Sequence, residues 1–251
     1  MSTLKFLPRR IDRAFDRLAF PEAAKALFTM QQGNPAYVPF WEDFTGTRSG
    51  TWPAGTPFAA TVGTGTEVIG ITQAVNGTMT LTTGANSGDS AGQGLGLNWK
   101  GDNGVYFIAR VKLDTLASSK IEVGLTDAVD DDGAVAVKAT PTFTATDCAL
   151  FVRDTTEDTA LTFQSNGGTS DANVDWSGTV AADTYITIEI VVDGPTGTTG
   201  DNASGYVNGQ LVGTGNINGA NALTPWFYVE TLSAATRTLT VDYVGIVGPR
   251  V

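Results

Sequence analysis

The chain has 251 residues, 41% hydrophobic and only 16% charged, with 30 glycines; a chain this long buries roughly 70% of its unfolded surface and needs neither disulfides nor a metal to fold. It has no histidine and one cysteine, Cys148, which excludes His-based nucleophilic triads, His-ligated zinc, iron or copper, and any intrachain disulfide or thiolate cluster. A net charge of −11 argues against nucleic acid as a partner of the body of the protein.

The first forty residues read differently from the rest. They carry Lys5, Arg9, Arg10, Arg13, Arg17 and Lys25 against Asp12, Asp16 and Glu22, so a basic arm precedes an acidic body. Ile11, Ala14, Phe15 and Leu18 fall at i, i+3, i+4 and i+7, one face of a helix. Pro21 ends that helix and suits the first turn of a second one through Ala23, Ala24, Leu27, Phe28 and Met30, because proline lacks the N–H that a first turn leaves unused. Gly33, Pro35 and Pro39 then lead into an extended connector. The reading is a helical N-terminal arm and connector over 1–39, followed by one domain over 40–251. Charges at Arg9, Arg10, Asp12, Arg13, Asp16 and Arg17 interrupt any signal-peptide core. No run approaches the roughly 18 apolar residues of a membrane span, so no membrane is expected as a partner.

From about Phe40 the hydrophobic period changes from 3.6 to 2. Val105, Phe107, Ala109, Val111 and Leu113 alternate with Tyr106, Ile108, Arg110 and Lys112; Ile186, Ile188, Ile190 and Val192 alternate with Thr187, Glu189 and Val191; Leu239, Val241 and Tyr243 alternate with Thr240, Asp242 and Val244. Shorter strand-like runs lie at 78–82, 121–125, 148–152, 160–164 and 226–232, and Cys148 reads as a small core residue. Asn208-Gly209 sits between two apolar pairs and tolerates the positive φ of a type I′ turn, which marks a hairpin. The Gly-rich stretch 194–205 reads as a loop between strands. Many strands without intervening helices imply an all-β antiparallel sandwich or jelly roll.

The order of these pieces carries a resemblance. The stretch 185–193 (YITIEIVVD), the hairpin 205–213 (GYVNGQLVG), Leu223–Val229 and the closing Leu239–Val244 (LTVDYV) resemble the C-terminal half of concanavalin-A-like (laminin-G-like) jelly rolls. Trp41–Gly46 looks like the opening strand, and Phe107–Leu113 with Ile121–Thr126 like the middle pair. With its helical arm and no signal peptide, the whole is similar to virion proteins of tailed phages, of the capsid-decoration or head-fibre type. The same fold also serves lectins and glycanases, so the residues must decide.

Retaining glycanases of this fold place two Glu and an Asp at alternate positions of one strand, which points their carboxyls into one cleft. No such run exists here: Glu122 and Glu189 each stand alone, and adjacent Glu42 and Asp43 face opposite sides; all read as solvent-side strand residues. Asp127, Asp130, Asp131 and Asp132 form the densest carboxylate cluster, an oxygen-rich loop of the kind Ca²⁺ uses, though without EF-hand spacing. Gly92, Gly94 and Gly96 lack the Lys-Ser/Thr and following helix of a phosphate loop. Trp52, Trp99 and Trp176 sit in turn-rich contexts and are the candidate glycan or protein contacts, whereas Trp226 reads as core or interface.

These observations lead to a non-enzymatic virion structural protein, a capsid decoration or auxiliary protein made in the host cytoplasm. Its arm, through Arg9, Arg10, Ile11, Arg13, Phe15, Arg17, Leu18, Leu27 and Phe28, would dock on the major capsid protein or other virion subunits, and the chain is expected to form homo-oligomers. The alternative is a carbohydrate-binding, lectin-like module; a glycanase is a remote third reading. No cofactor is expected apart from the candidate Ca²⁺.

Overall fold

The structure, a computed structural model, describes residues 37–42, 44, 60–72, 77–101, 104–193 and 201–249. The expected helical arm, with Arg9 to Phe28, lies outside the described residues, as does Trp52. Among the described residues the chain is strand and turn, with no α-helix, as the period of 2 requires.

Two antiparallel sheets of eight strands face each other. The first runs β16 (Gln210–Ile217), β15 (Asp201–Val207), β14 (Ile186–Val192), β7 (Val105–Leu113), β18 (Thr238–Pro249), β4 (Thr78–Thr82) and β3 (Val68–Thr72), with β1 (Tyr37–Glu42) paired to the last half of β18. The second runs β13 (Asn173–Asp175), β12 (Asp158–Asn166), β11 (Cys148–Asp154), β8 (Ser119–Thr126), β17 (Ala222–Thr231), β5 (Ser90–Gly94) and β2 (Ala60–Val62), with β6 (Trp99–Lys100) on the start of β17. A separate two-stranded ribbon joins β9 (Val135–Val137) to β10 (Thr142–Phe143). Consecutive strands repeatedly fall in different sheets, β7 and β8 or β17 and β18 for example, which gives the sandwich its jelly-roll connections. The first strand starts at Tyr37, ahead of the boundary near Phe40, and Pro39 is accommodated because β1 is an edge strand.

The predicted alternation decides what lies between the sheets. Val105, Phe107, Ala109, Val111 and Leu113 of β7 and Ile186, Ile188, Ile190 and Val192 of β14 all point into the main core. They meet Ile121, Val123 and Leu125 of β8 and Phe227 and Val229 of β17. Phe107 and Phe227 bridge the two sheets with ring centroids 6.1 Å apart, and Phe151 and Phe163 pack at 5.3 Å within the second sheet. Asn208 and Gly209 have φ of 51° and 76°, the turn that β15–β16 needs. Asn208 also ties the hairpin to β14: its N–H donates to the Thr187 carbonyl at 2.8 Å, and its side-chain oxygen accepts from the Thr187 N–H at 2.9 Å.

β18 departs from simple alternation. A bulge between Val241 and Tyr243 inserts one residue and resets the faces. Leu239, Val241, Val244 and Ile246 therefore point inward, while Tyr243 turns outward with Val247. The sequence pattern, which put Tyr243 with Leu239 and Val241, is corrected by that extra residue. The segment 194–205 is likewise not all loop, since β15 begins at Asp201.

Phe227→Ala removes the ring that couples the sheets and should lower unfolding stability by about 3–5 kcal/mol. The check is the urea midpoint of the full chain; an unchanged midpoint would show that the two sheets do not depend on this contact.

Candidate functional site

In this architecture a cleft, where one exists, lies on the outer face of a sheet. The outer face of the second sheet is built in rows set by strand register: Asp154, Lys120, Glu230 and Ser90; then Val152, Glu122, Tyr228 and Gly92; then Leu150, Gly124, Trp226 and Gly94. Trp226 and Tyr228 stack with centroids 6.0 Å apart. Two aromatics, a lysine and two glutamates along central strands are the side-chain types that a sugar cleft uses.

This face is roofed. The segment 127–147, which contains β9 and β10, crosses it, and Ala134, Val135 and Ala145 form a second buried cluster with Cys148, Leu150, Val152, Trp226 and Tyr228. Glu122 holds the roof down. Its Oε2 accepts from the Ala134 N–H at 2.7 Å and from Trp226 Nε1 at 3.0 Å, and its Oε1 accepts from the Val135 N–H at 3.0 Å, with Lys120 Nζ at 3.3 Å. A buried carboxylate survives only when paired and fully hydrogen-bonded, and this one is both. Gly133 is needed beside it: φ is 82°, and a Cβ there would lie 2.6 Å from Glu122 Oε1.

Other contacts fasten the rest of the segment. The Asp131 carbonyl accepts from Ser90 Oγ at 2.8 Å and from the Tyr228 hydroxyl at 3.1 Å, and the Asp132 carbonyl accepts from Lys120 Nζ at 3.3 Å. Gln164 Nε2 donates to the Lys138 carbonyl at 2.7 Å, and buried Lys138 pairs with Asp158. Burial pushes the Tyr228 hydroxyl far up, and the Cys148 thiol as well, so neither ionises near neutrality.

Two of the carboxylates singled out in the sequence, Asp127 and Asp130, bond within the segment. Asp127 Oδ1 accepts from the Thr146 and Asp147 N–H groups at 3.1 and 3.0 Å, closing the ends of the roofing segment. Asp130 Oδ1 accepts from the Asp132 N–H at 2.9 Å, whereas Asp131 and Asp132 contribute main-chain carbonyls. Among the described residues no group of three metal-ligating side chains converges, so Asp127, Asp130, Asp131 and Asp132 do not fit the Ca²⁺ site expected of them. Asp127 and Asp130 spend a carboxylate oxygen on main-chain N–H groups of their own segment, as turn-forming aspartates do.

Glu122 and Glu189 are both buried, correcting the expectation of solvent-side residues. They project from the outer faces of opposite sheets. Stacked sheets lie ~10 Å apart, so two carboxyls pointing away from one another cannot meet the ~5–9.5 Å separation of a glycosidase pair. Glu189 accepts from the Tyr106 hydroxyl at 2.9 Å, and burial outweighs that bond to raise its pKa above the ordinary carboxylate range. Glu230, on the rim beside the roof, is raised as well, by burial first and against the pull of Lys120.

The tryptophans divide. Trp99 is buried in the main core, and Trp176 is half-buried against that core, with Gly178 packed so close that a Cβ would enter its ring. Trp99 is covered by the sandwich it flanks, whereas Trp176 keeps part of its surface exposed. Trp226 is buried as expected, but on the roofed outer face. The roof itself, and the use of Glu122 as its anchor, were missed; Gly133 beside a carboxylate-rich turn was the only sign of a close approach in the sequence.

No protein-family model matches the chain, and no curated protein matches its sequence. Solved structures do match, at the level of fold. The chain is similar to endo-β-1,4-glucuronan lyase from the fungus Trichoderma reesei, with a TM-score of 0.54, 9% identity, and 82% of this chain and 94% of that one covered. It is also similar to the carbohydrate recognition domain of Emp47p, with a TM-score of 0.54, 9% identity, and 86% and 96% covered. An endo-1,3-β-glucanase from Streptomyces sioyaensis gives 0.52, 11% identity, and 86% and 98%. The fold is thus an all-β sandwich of the concanavalin-A-like type.

Glu122→Gln keeps the shape but replaces one acceptor oxygen by a donor facing donors. It should cost about 2–4 kcal/mol and speed hydrogen exchange of the Ala134 and Val135 amides; unchanged exchange would show that this carboxylate is not the latch. Glu189 and Glu230 predict the pH dependence. Their folded pKa values exceed the unfolded ones, so the folded state binds protons more tightly and stability falls as pH rises from about 4.5 through the raised values. Urea midpoints from pH ~4 to ~7 should show that fall, and Glu189→Gln should flatten it.

Proposed function

We infer that the chain is a carbohydrate-binding, lectin-like module that holds its ligand without cleaving it. The observation that carries this reading is Glu122, the carboxylate on the outer face of central strand β8, which commits both oxygens to its own roof. The structures of similar fold support the carbohydrate half of the reading: a carbohydrate recognition domain, a glucuronan lyase and a glucanase. That support favours a lectin-like role over capsid decoration. The decoration reading depended on an arm that lies outside the described residues.

The roof leaves the edge of the same face open. Asn173, Val174 and Asp175 of β13 are all exposed. Asn173 Oδ1 accepts from Gln164 Nε2 at 3.0 Å, and Asp175 Oδ1 from Thr162 Oγ1 at 2.6 Å. An amide and a carboxylate already held in place by neighbours are the groups that bind sugar hydroxyls.

The test is a glycan array that includes β-1,3-glucan, glucuronan and N-glycans, followed by titration of each hit. Saturable binding without release of new chain ends is expected, weakened about tenfold or more in Asn173→Ala/Asp175→Ala through lost hydrogen bonds. No binding to any glycan, or turnover that depends on Glu122 or Glu189, would overturn the reading.

A further inference from the structure

Besides covering the second sheet, the roof fixes which way the amide at the β13 edge faces. Gln164 is buried, and its side chain lies between the roof and that edge strand. The Lys138 carbonyl at 2.7 Å can only accept, so Gln164 turns Nε2 towards it; the reverse orientation would set Oε1 against another acceptor. The second Nε2 proton goes to Asn173 at 3.0 Å, which must answer with Oδ1. Asn173 Nδ2 is thereby left on the exposed strand as a donor, with no partner among the described residues. Two residues on, Thr162 Oγ1 donates to Asp175 Oδ1 at 2.6 Å, which leaves Oδ2 as an exposed acceptor. Positions 173 and 175 share one face of β13, ~7 Å apart along the strand.

We propose, building on the carbohydrate-binding reading, that this edge takes uncharged sugars and rejects chains of uronic acids. Asn173 Nδ2 donates to one sugar oxygen, and Asp175 Oδ2 accepts from a hydroxyl. A neutral hexose offers both halves of that match, because a hydroxyl both donates and accepts. A uronic acid chain brings one carboxylate per sugar to a row that already holds one, and like charges at close range repel. The surroundings do not offset that repulsion. Asp171, two residues before Asn173, is exposed. The cations of β8, β11 and the roof, Lys120, Arg153 and Lys138, are all more than nine-tenths buried and already engaged. Lys120 faces Glu122, Lys138 pairs with Asp158, and Arg153 donates to the Thr159 and Leu116 carbonyls. The net charge of −11 acts in the same direction at low salt.

Titration of the full-length chain with a neutral β-1,3-glucan oligosaccharide, a neutral N-glycan and a glucuronan oligosaccharide tests this. In ~0.01 M salt a neutral sugar should bind about tenfold or more tightly than glucuronan, and the gap should narrow in ~1 M salt as screening grows. Two isosteric substitutions separate polarity from structure, since each keeps its inner bond. Asn173→Asp still accepts from Gln164 but has lost its outward donor, so the neutral sugar should weaken about tenfold. Asp175→Asn keeps a bond to Thr162 but removes the charge, so the ratio of neutral to glucuronan affinity should fall about tenfold, with glucuronan itself binding more tightly. Wild type that binds glucuronan as tightly as the neutral sugars, or an Asp175→Asn variant that weakens both alike, overturns the proposal and leaves the carbohydrate-binding reading standing. Failure of all three sugars to bind overturns that reading, and the proposal with it.

Discussion

One buried carboxylate organises the outer face of the second sheet. Glu122 sits at the centre of a sheet face that solvent would otherwise reach, and four donors converge on it from the roof, from Trp226 and from Lys120. Removing an anion from water costs several kcal/mol unless those donors are already in place. The roof must therefore adopt one register over the sheet, with Gly133 directly over the carboxylate. From that follow the burial of Trp226 and Tyr228 and the second core around Cys148.

The same constraint bears on chemistry. A glycosidase keeps two carboxyls facing one cleft with their protonation states pushed apart. Here the two most buried strand glutamates occupy opposite outer faces, and each is engaged locally, Glu122 in the roof contacts and Glu189 against the Tyr106 hydroxyl. The raised Glu230 lies at the rim with Tyr228 and Lys120, and the nearest carboxylate in its own row, Asp154, is already capping Thr156 through its main-chain N–H and hydroxyl. At the β13 edge of this sheet Asn173 and Asp175 are exposed.

Much of the fold was legible because strand burial writes itself as a period of 2. The inward faces of β7 and β14 match the alternation residue for residue, and Asn208-Gly209 turns where its tolerance of positive φ says it should. The failures have physical causes. The bulge at Asp242 adds a residue that no hydrophobicity pattern announces, and it moves Tyr243 to the outside. The fate of Glu122 was hidden because its partners are main-chain N–H groups of the loop that carries Ala134 and Val135, and loop N–H groups leave no trace in composition. The aspartates misled for a related reason: a turn that must satisfy its own amides and a loop that binds a cation draw on the same residues. Trp99 misled because its surroundings in sequence are turns while its surroundings in space are core.

The two sheets show how an eight-stranded antiparallel face avoids being a sticky surface. The second sheet solves it with a polar latch and an internal segment, at the price of its cleft. The first sheet has no equivalent latch among the described residues: Glu189 meets a tyrosine hydroxyl from its own face, and the rest of the cluster is apolar. The asymmetry separates what each face can do. A cover fixed by a hydrogen-bonded carboxylate makes a rigid wall suited to positioning exposed groups at its edge, whereas one fixed by apolar contact sets no comparable geometry. Beside the roof, Asn173 and Asp175 are held in this way by Gln164 and Thr162.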